Sequence, residues 1–508
     1  MALVREVDSA YGLSMNRFLK YLFGIVAALV ALLAVGVLWP SATAPLPDAA
    51  NSRVIRNVRI IDVERGTASE PTDVLIEDGR VAAIGDKARA KQNLPVLEAD
   101  GRYLVPGFWD MHTHALKLSP QLHLPLAVAN GITGTRDMMD CPGTYDALIA
   151  CIDDKRKWTH AAAEGQMASP RFVEVASFYF ERNDMTPDQA VILAAEYRAR
   201  GLDSLKIYNN LPAATYSRLT NEARQWGMPI VGHLPKAVSL DEAVGAGQRS
   251  FEHAHVFVRH CFRGAAQWRS GALDKEEPTA LAERMVTQYD AEACTRAFAL
   301  MRERGTAFVP THVTREEDAR AQDLDFKNDP RLAYLDPLSR WAYNDDMKST
   351  ATRYPDARGE AALQNYFSHG LKLTHSAHRA GVPVLVGTDT AIGGFRYHDE
   401  MAHLVRAGMS PAEVLRAATL DAARYAKQTD QHGRVVVGNA ADLVLLDANP
   451  LEDIANTRRI HAVFLAGRLY DRPSLDALLE FTRTQARSPI NAIKLVWGFL
   501  TSSVNGEL

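Results

Sequence analysis

Eight short apolar stretches recur between residues 104 and 389, each followed by polar or amphipathic sequence. They cover 104–114, 131–137, 171–177, 204–208, 229–234, 250–255, 307–313 and 382–389. Stretches with helical periodicity, among them 186–200, 214–227 and 239–247, lie between them. This alternation over residues 105–425 predicts an α/β fold, a closed (β/α)8 barrel of TIM type. An open doubly wound sheet is the alternative, but no Gly-x-Gly-x-x-Gly follows the first strand to give it a dinucleotide site. The connections before strands seven and eight run to about 50 and about 70 residues, lengths that go with lids, extra helices or subunit contacts.

The flanks read differently. Residues 54–63, 73–84, 433–446 and 461–470 are β-rich, with Glu77-Asp78-Gly79-Arg80 and Ala466-Gly467 as turns. The two strand-rich pieces, 51–104 and 426–472, predict one small β-sandwich beside the barrel, provided the barrel's termini adjoin. A helical tail fills 473–508. Its last apolar segment, 490–500 after Pro489, reads first as a helix docked on the body, with a subunit contact or a membrane-surface helix as alternatives.

The strand ends carry the chemistry. The first ends in His112-Thr113-His114; alternate side chains of a strand share a face, so both imidazoles can hold one divalent cation. Lys206 lies in the fourth strand, His233 ends the fifth, His253 the sixth and Asp389 the eighth. In a barrel these tips converge on one mouth. Four histidines, a lysine and an aspartate there are too polar for a dry plug, and they fit the ligand chemistry of a divalent metal.

The motifs PGFWDMHTH, DSLKIY, VGH, FEHAH and VGTDT occur in this order, followed by AGMSPAEVLRAATLDAARY and GNAADLVLLDANPLEDI. In these the chain resembles the amidohydrolase superfamily of metal-dependent hydrolases, and within it the imidazolonepropionase-like and Xaa-Pro-dipeptidase-like branch. The likeness covers residues 54–470. It implies a binuclear site, usually zinc. His112, His114 and Asp389 would bind the more buried ion, His233 and His253 the other, and Lys206, carboxylated to a carbamate, would span the two. In such a site a hydroxide between the cations is a nucleophile near neutral pH, one metal holds the developing oxyanion, and Asp389 passes a proton to the leaving nitrogen. The expected activity is metal-dependent hydrolysis of a C–N amide bond in a dipeptide or an N-acyl amino acid. A lactonase or esterase, a cyclic-amide hydrolase and a catalytically silent binding protein on the same barrel are the alternatives.

Tyr208, His255 and His312 sit beside or at strand tips and are candidates to touch the scissile carbonyl or a substrate carboxylate. Arg315, Arg396 and His398 follow strands seven and eight; an arginine there can grip a carboxylate with two hydrogen bonds. Packing explains the first three equally well, and a solvated loop charge is the commoner outcome for the last three. His123, His160, His403 and His461 read as structural.

Residues 21–39 form an uncharged, mostly apolar run preceded by Arg17 and Lys20. Nineteen residues of helix reach about 28 Å, close to the hydrocarbon thickness of a bilayer. The basic flank places residues 1–20 in the cytoplasm and everything beyond the linker 40–50 outside it. The expectation is an exported enzyme anchored in the inner membrane and facing the periplasm. A secretory signal starting at Met15 and cleaved after Ala42-Thr43-Ala44 is the alternative. Four cysteines, Cys141, Cys151, Cys261 and Cys294, suit an oxidising compartment and one or two disulfides, with pairing left open. The composition of the 508-residue chain is globular, 47% hydrophobic and 23% charged, and a net charge of −4 speaks against nucleic acid as a partner. A homo-oligomer is compatible with the long connections.

Overall fold

The computed structural model describes residues 20–23, 33–47, 49–91 and 93–503. Six strands come first: β1 (Arg53–Asp62), β2 (Thr67–Ala68), β3 (Thr72–Glu77), β4 (Arg80–Ile84), β5 (Val96–Glu98) and β6 (Tyr103–Pro106). Seven belong to the middle: β7 (Phe108–Thr113), β8 (Ile132–Asp137), β9 (Arg171–Val175), β10 (Leu205–Ile207), β11 (Ile230–Gly232), β12 (Ser250–Glu252) and β13 (Ala307–Val309). Three follow: β14 (Leu443–Leu446), β15 (Ile460–Leu465) and β16 (Arg468–Tyr470).

The middle strands close into a barrel. β7, β8 and β9 pair in parallel, as do β10 with β11 and β12 with β13. The Ser177 N–H donates to the Ser204 carbonyl at 2.9 Å, joining β9 to β10, and the Arg249 N–H donates to Ile230 at 2.7 Å, joining β11 to β12. The eighth stave, 383–389, is extended but irregular, because Pro383 has no N–H to give a ladder. It still bonds on both sides: Leu385 N–H to Phe308 at 2.9 Å, and Met111 N–H to Val386 at 2.9 Å. Gly387 allows this approach, since a Cβ there would lie 2.5 Å from a Val309 methyl and 2.9 Å from the His112 nitrogen.

Helices wrap the barrel. Thr186 and Ser239 start Pro187–Ala199 and Leu240–Ala246 by accepting from the Gln189 and Glu242 backbone N–H groups, and those two side chains reach back in return. Buried Phe108, Ile132, Leu219, Val244 and Phe298 fill the layer between strands and helices. Trp109, Met111, Ala307, Val309 and Leu385 of the barrel staves form a buried apolar cluster. Each large side chain so buried contributes about 1.5–3 kcal/mol. The long connections are helical: Ala291–Arg304 ends the one before β13, and Pro337–Arg353 and Ala357–Arg379 fill the one before the eighth stave.

Strands from the two ends of the chain share one sheet, ordered β16-β15-β14-β6-β1-β3-β4, with β2 and β5 also on β1. It bends around Ile55, Val74, Leu104, Leu443 and Phe464. Several expected strands end elsewhere. The stretch 104–114 is cut at Gly107, whose absent Cβ would fall 2.1 Å from the Thr133 hydroxyl, so β6 joins the end sheet and β7 the barrel. Of 433–446 only Leu443–Leu446 is strand. β12 stops at Glu252 and β13 at Val309, because His253 and Thr311 take left-handed backbone at φ 69° and 43°.

Disulfides join Cys141 to Cys151 and Cys261 to Cys294. The tail is two helices, Arg472–Ala486 and Pro489–Thr501. No helix among the described residues is long and apolar enough to cross a membrane; the expected span 21–39 lies in part, at 24–32, outside the described residues.

Candidate active site

Closure of the barrel brings the tips of β7 and the eighth stave together. Asp110 ties them: its carboxylate accepts from the backbone N–H groups of His112 at 3.1 Å and Thr388 at 3.0 Å, and from the Thr388 hydroxyl at 2.6 Å. The Asp389 N–H donates to the His112 carbonyl at 2.9 Å. Asp389 itself is left-handed, φ 51°, a strained conformation for a non-glycine that turns its carboxylate into the mouth.

All six expected ligand side chains meet at this rim. Asp389 Oδ1 lies 3.0 Å from His114 Nε2 and 3.6 Å from His112 Nε2, and Oδ2 lies 3.8 Å from His253 Nδ1. The Lys206 Nζ is 3.4 Å from His112 Nε2. His253 Nε2 is 2.9 Å from His233 Nε2. Among the described residues, His112, His253 and Asp389 offer ligand atoms all within 4.8 Å of one another.

Burial sets the protonation of the group. It holds His112 near a pKa of about 4 and drives His233 and His253 well below the ordinary imidazole value, so all three are neutral at pH 7. Burial pulls Lys206 down to about 8, against the attraction of Asp389 and Glu252. It pushes Asp389 up, but His112 and His114 outweigh it and keep the carboxyl well below its usual range.

Neighbours fix the rings. Glu252 Oε2 lies 3.2 Å from His112 Nδ1, and both its oxygens accept from the Arg136 guanidinium, at 2.9 and 2.8 Å. His112 Nδ1–H donating to Glu252 leaves the Nε2 lone pair facing the rim, the carboxylate–histidine arrangement common behind metal ligands. Asn209 Oδ1 sits 3.0 Å from His233 Nδ1 and Thr311 Oγ1 2.7 Å from His253 Nδ1. None of Arg136, Glu252, Asn209, Thr311 or Asp110 was singled out from the sequence. Arg136 and Glu252 had a readable signal: a charged residue on a short buried strand of a barrel needs a buried partner.

The secondary candidates divide. The Tyr208 ring packs on His233 with centroids 4.0 Å apart, and burial pushes its hydroxyl up to about 12. His255 opens the helix His255–His260 rather than continuing a strand, yet its ring stacks on His253 at 5.5 Å and its Nδ1 is buried without a partner. Two expectations are corrected. His312 turns away from the rim: Nε2 is 2.9 Å from the Thr374 hydroxyl and the ring packs on Phe367 and His403. The buried Arg396 guanidinium is committed to Asp399, Glu316 and the Val313 carbonyl, so it does not reach a substrate. His398 bonds Thr457, and Arg315 pairs with Asp318 at 2.6 Å.

Residues 103–470 match the amidohydrolase family. The chain belongs to that family. The resemblance read from the motifs is thereby borne out, and this amidohydrolase is a hydrolytic enzyme acting on C–N bonds. An uncharacterized protein of Mycobacterium tuberculosis is 27% identical over 379 residues, 73% of this chain and 86% of that protein. Among solved structures, bottromycin amidohydrolase superposes with TM-score 0.62 at 23% identity, covering 88% of this chain and 93% of that one. A Xaa-Pro dipeptidase with bound methionine gives TM-score 0.57 at 18% identity, covering 83% and 100%.

The superfamily is generally metal-dependent, and the residues of this amidohydrolase fit a metal. Two imidazole nitrogens 2.9 Å apart repel through their lone pairs unless a proton or a cation stands between them. Neutral imidazoles with one ionised carboxylate are a donor set suited to a borderline divalent ion.

Proposed function

We propose that this amidohydrolase cleaves the amide bond of a dipeptide or an N-acyl amino acid at a site holding two divalent ions, zinc by choice of donors. His112, His114 and Asp389 would hold one, His233 and His253 the other, with Lys206 as a carbamate between them. The convergence of these side chains on one rim carries the reading. When bound, the ions supply Lewis acidity that activates water and polarises the scissile carbonyl.

The chain's own residues do the rest. Asp389 is ionised at neutral pH, so it can accept a proton from the attacking water and hand it to the leaving nitrogen. Lys206 loses its charge more readily than an exposed lysine, as reaction of its amine with CO2 requires. Tyr208, beside His233, is within reach of a substrate oxygen and stays protonated, hence a donor. Arg259 and Arg315 line a cavity of about 260 Å³ and add positive charge around His255; Arg315 is paired there with Asp318, and Arg259 suits a free carboxylate on the substrate. Two disulfides support the further proposal that the enzyme is exported, tethered by residues 21–39.

The test is a panel of dipeptides, N-acyl amino acids and lactones on protein reconstituted with zinc, alongside metal analysis. Amide turnover with about two equivalents of metal is expected. Lactone turnover alone, or less than one equivalent of metal without turnover, would replace the reading with a lactonase or a silent binding protein.

A further inference from the structure

On the β7–β8 side of the rim lies a cavity of about 230 Å³ whose wall includes both His114 and Asp389. Much of the rest of its lining is apolar, with Leu116, Leu124, Leu126, Ala127, Ile132 and Phe172. Most of the polar groups in the wall already have hydrogen-bond partners within the protein. Thr113 and Thr135 share a hydrogen bond of 2.7 Å between their hydroxyls. The Ser119 hydroxyl accepts from the Leu116 N–H and meets His123 Nδ1 at 2.9 Å. Both Asp110 oxygens are taken by His112 and Thr388. A ligand entering from the metal rim therefore meets hydrocarbon and little that can hydrogen-bond to it.

We infer that this cavity is the acyl subsite: it takes an extended aliphatic chain on the carbonyl side of the scissile amide, so that the substrates are N-acyl amino acids with a medium or long acyl group. The inference rests on the amide-hydrolase reading above and deepens it. Orientation follows from the asymmetry of the rim. Positive charge from Arg259 and Arg315 lies in the segments after β12 and β13, and the apolar cavity lies in those after β7 and β8. A substrate laid across His114 and Asp389 with its carboxylate toward the arginines has its acyl end in the cavity. Hydrolysis adds water across the C–N bond, releasing a fatty acid into the cavity and a free amino acid toward the arginines.

The surroundings suit an amphiphilic substrate. The Gln121 side chain, on the helix Ser119–Leu122 that roofs the cavity, donates to the Ala42 carbonyl at 2.9 Å. Close by in the chain, Leu38 and Trp39 are exposed. Lys494 donates to the Trp39 carbonyl at 2.7 Å, and its helix also carries the exposed Val496, Trp497 and Leu500. Exposed apolar surface beside the roof is where a molecule with an aliphatic tail would gather before entry.

The experiment compares N-acetyl-, N-hexanoyl- and N-decanoylmethionine with the zinc-reconstituted full chain, and measures decanoate binding by calorimetry. Each added methylene is expected to raise kcat/KM about fourfold until the cavity is filled. Ala127→Trp, or Ala127→Leu if the tryptophan variant does not fold, should lower the decanoyl-to-acetyl ratio of kcat/KM at least about tenfold and weaken decanoate by a similar factor. A flat acyl series, or a ratio unchanged in a folded variant, overturns the inference while leaving amide hydrolysis standing. If no amide is turned over at all, the functional reading fails; decanoate that binds wild type and not the variant still supports an aliphatic site, and decanoate that binds neither sinks it.

Discussion

His233 Nε2 and His253 Nε2 face each other across 2.9 Å, each ring held from behind, His233 by Asn209 and His253 by Thr311. Asn209 accepts from His233 Nδ1–H, which leaves Nε2 of that ring as a lone pair aimed at the other imidazole. Such a pair is stable around a cation. Chelation is therefore expected to abolish turnover and lower Tm, and zinc to restore both. A ligand present at about a thousand times its Kd stabilises a fold by about 4 kcal/mol. Thermal denaturation with and without chelator reads this; an unchanged Tm and rate would remove metal from the account.

Glu252 stands between the Arg136 guanidinium and His112 Nδ1 in a fully buried position. Burial pushes its carboxyl up, yet Arg136 and His112 hold it at about 2. Glu252→Gln keeps the shape but removes the charge. Metal affinity should fall about 10- to 100-fold through loss of the His112 orientation, and stability should drop by about 3–5 kcal/mol through the unpaired Arg136. Metal titration and urea denaturation measure the two separately.

Asp389→Asn keeps a hydrogen-bonding group at the rim and loses the base. Turnover should fall about 10²- to 10⁴-fold while the circular dichroism spectrum is unchanged. A near-wild-type rate would take the proton-transfer role away from Asp389.

Lys206→Ala removes the group 3.4 Å from His112 Nε2. The variant should lose bound metal and recover part of it, with part of the activity, when a short carboxylic acid is added. Metal content equal to wild type would delete the carbamate bridge.

Glu316 ties the helix His312–Ala319 to Gly393–Arg406 through Arg396 at 2.9 Å and His403 at 3.1 Å. Burial opposes its ionisation, but His403 and Arg396 outweigh burial and hold it at about 2, against 4.5 unperturbed. The unfolded chain thus takes up a proton at higher pH than the folded one. The stabilisation is complete above pH 4.5 and is lost as pH falls toward 2. Glu316→Gln should be less stable near neutrality and show a shallower loss between those pH values, read from denaturant midpoints.

Much of the fold was legible because it is written in local periodicity. Strand–helix alternation places β7 to β13 and the eighth stave within a few residues; His112, His114, His233, His253 and Asp389 were readable as polar ends of apolar runs, and Lys206 as a charge within one. What misled was continuity. A strand pattern through 250–255 or 307–313 gives no sign that His253 and Thr311 turn left-handed just before the helices His255–His260 and His312–Ala319. Arg396 looked free because its partners, Glu316 and Asp399, can be assigned only once two helices have packed.

The sequence by itself therefore determined the barrel, the identity of the rim groups and the family, because each depends on residue type and spacing along a few turns or strands. Tertiary structure alone decided which cysteines pair, that Glu252 and Arg136 stand behind His112, that Arg396 and His312 are occupied elsewhere, and that an apolar cavity opens beside His114 and Asp389. Those are relations between segments far apart in the chain. Closure of the barrel and packing of its helices bring them together, and no local pattern encodes the distances that result.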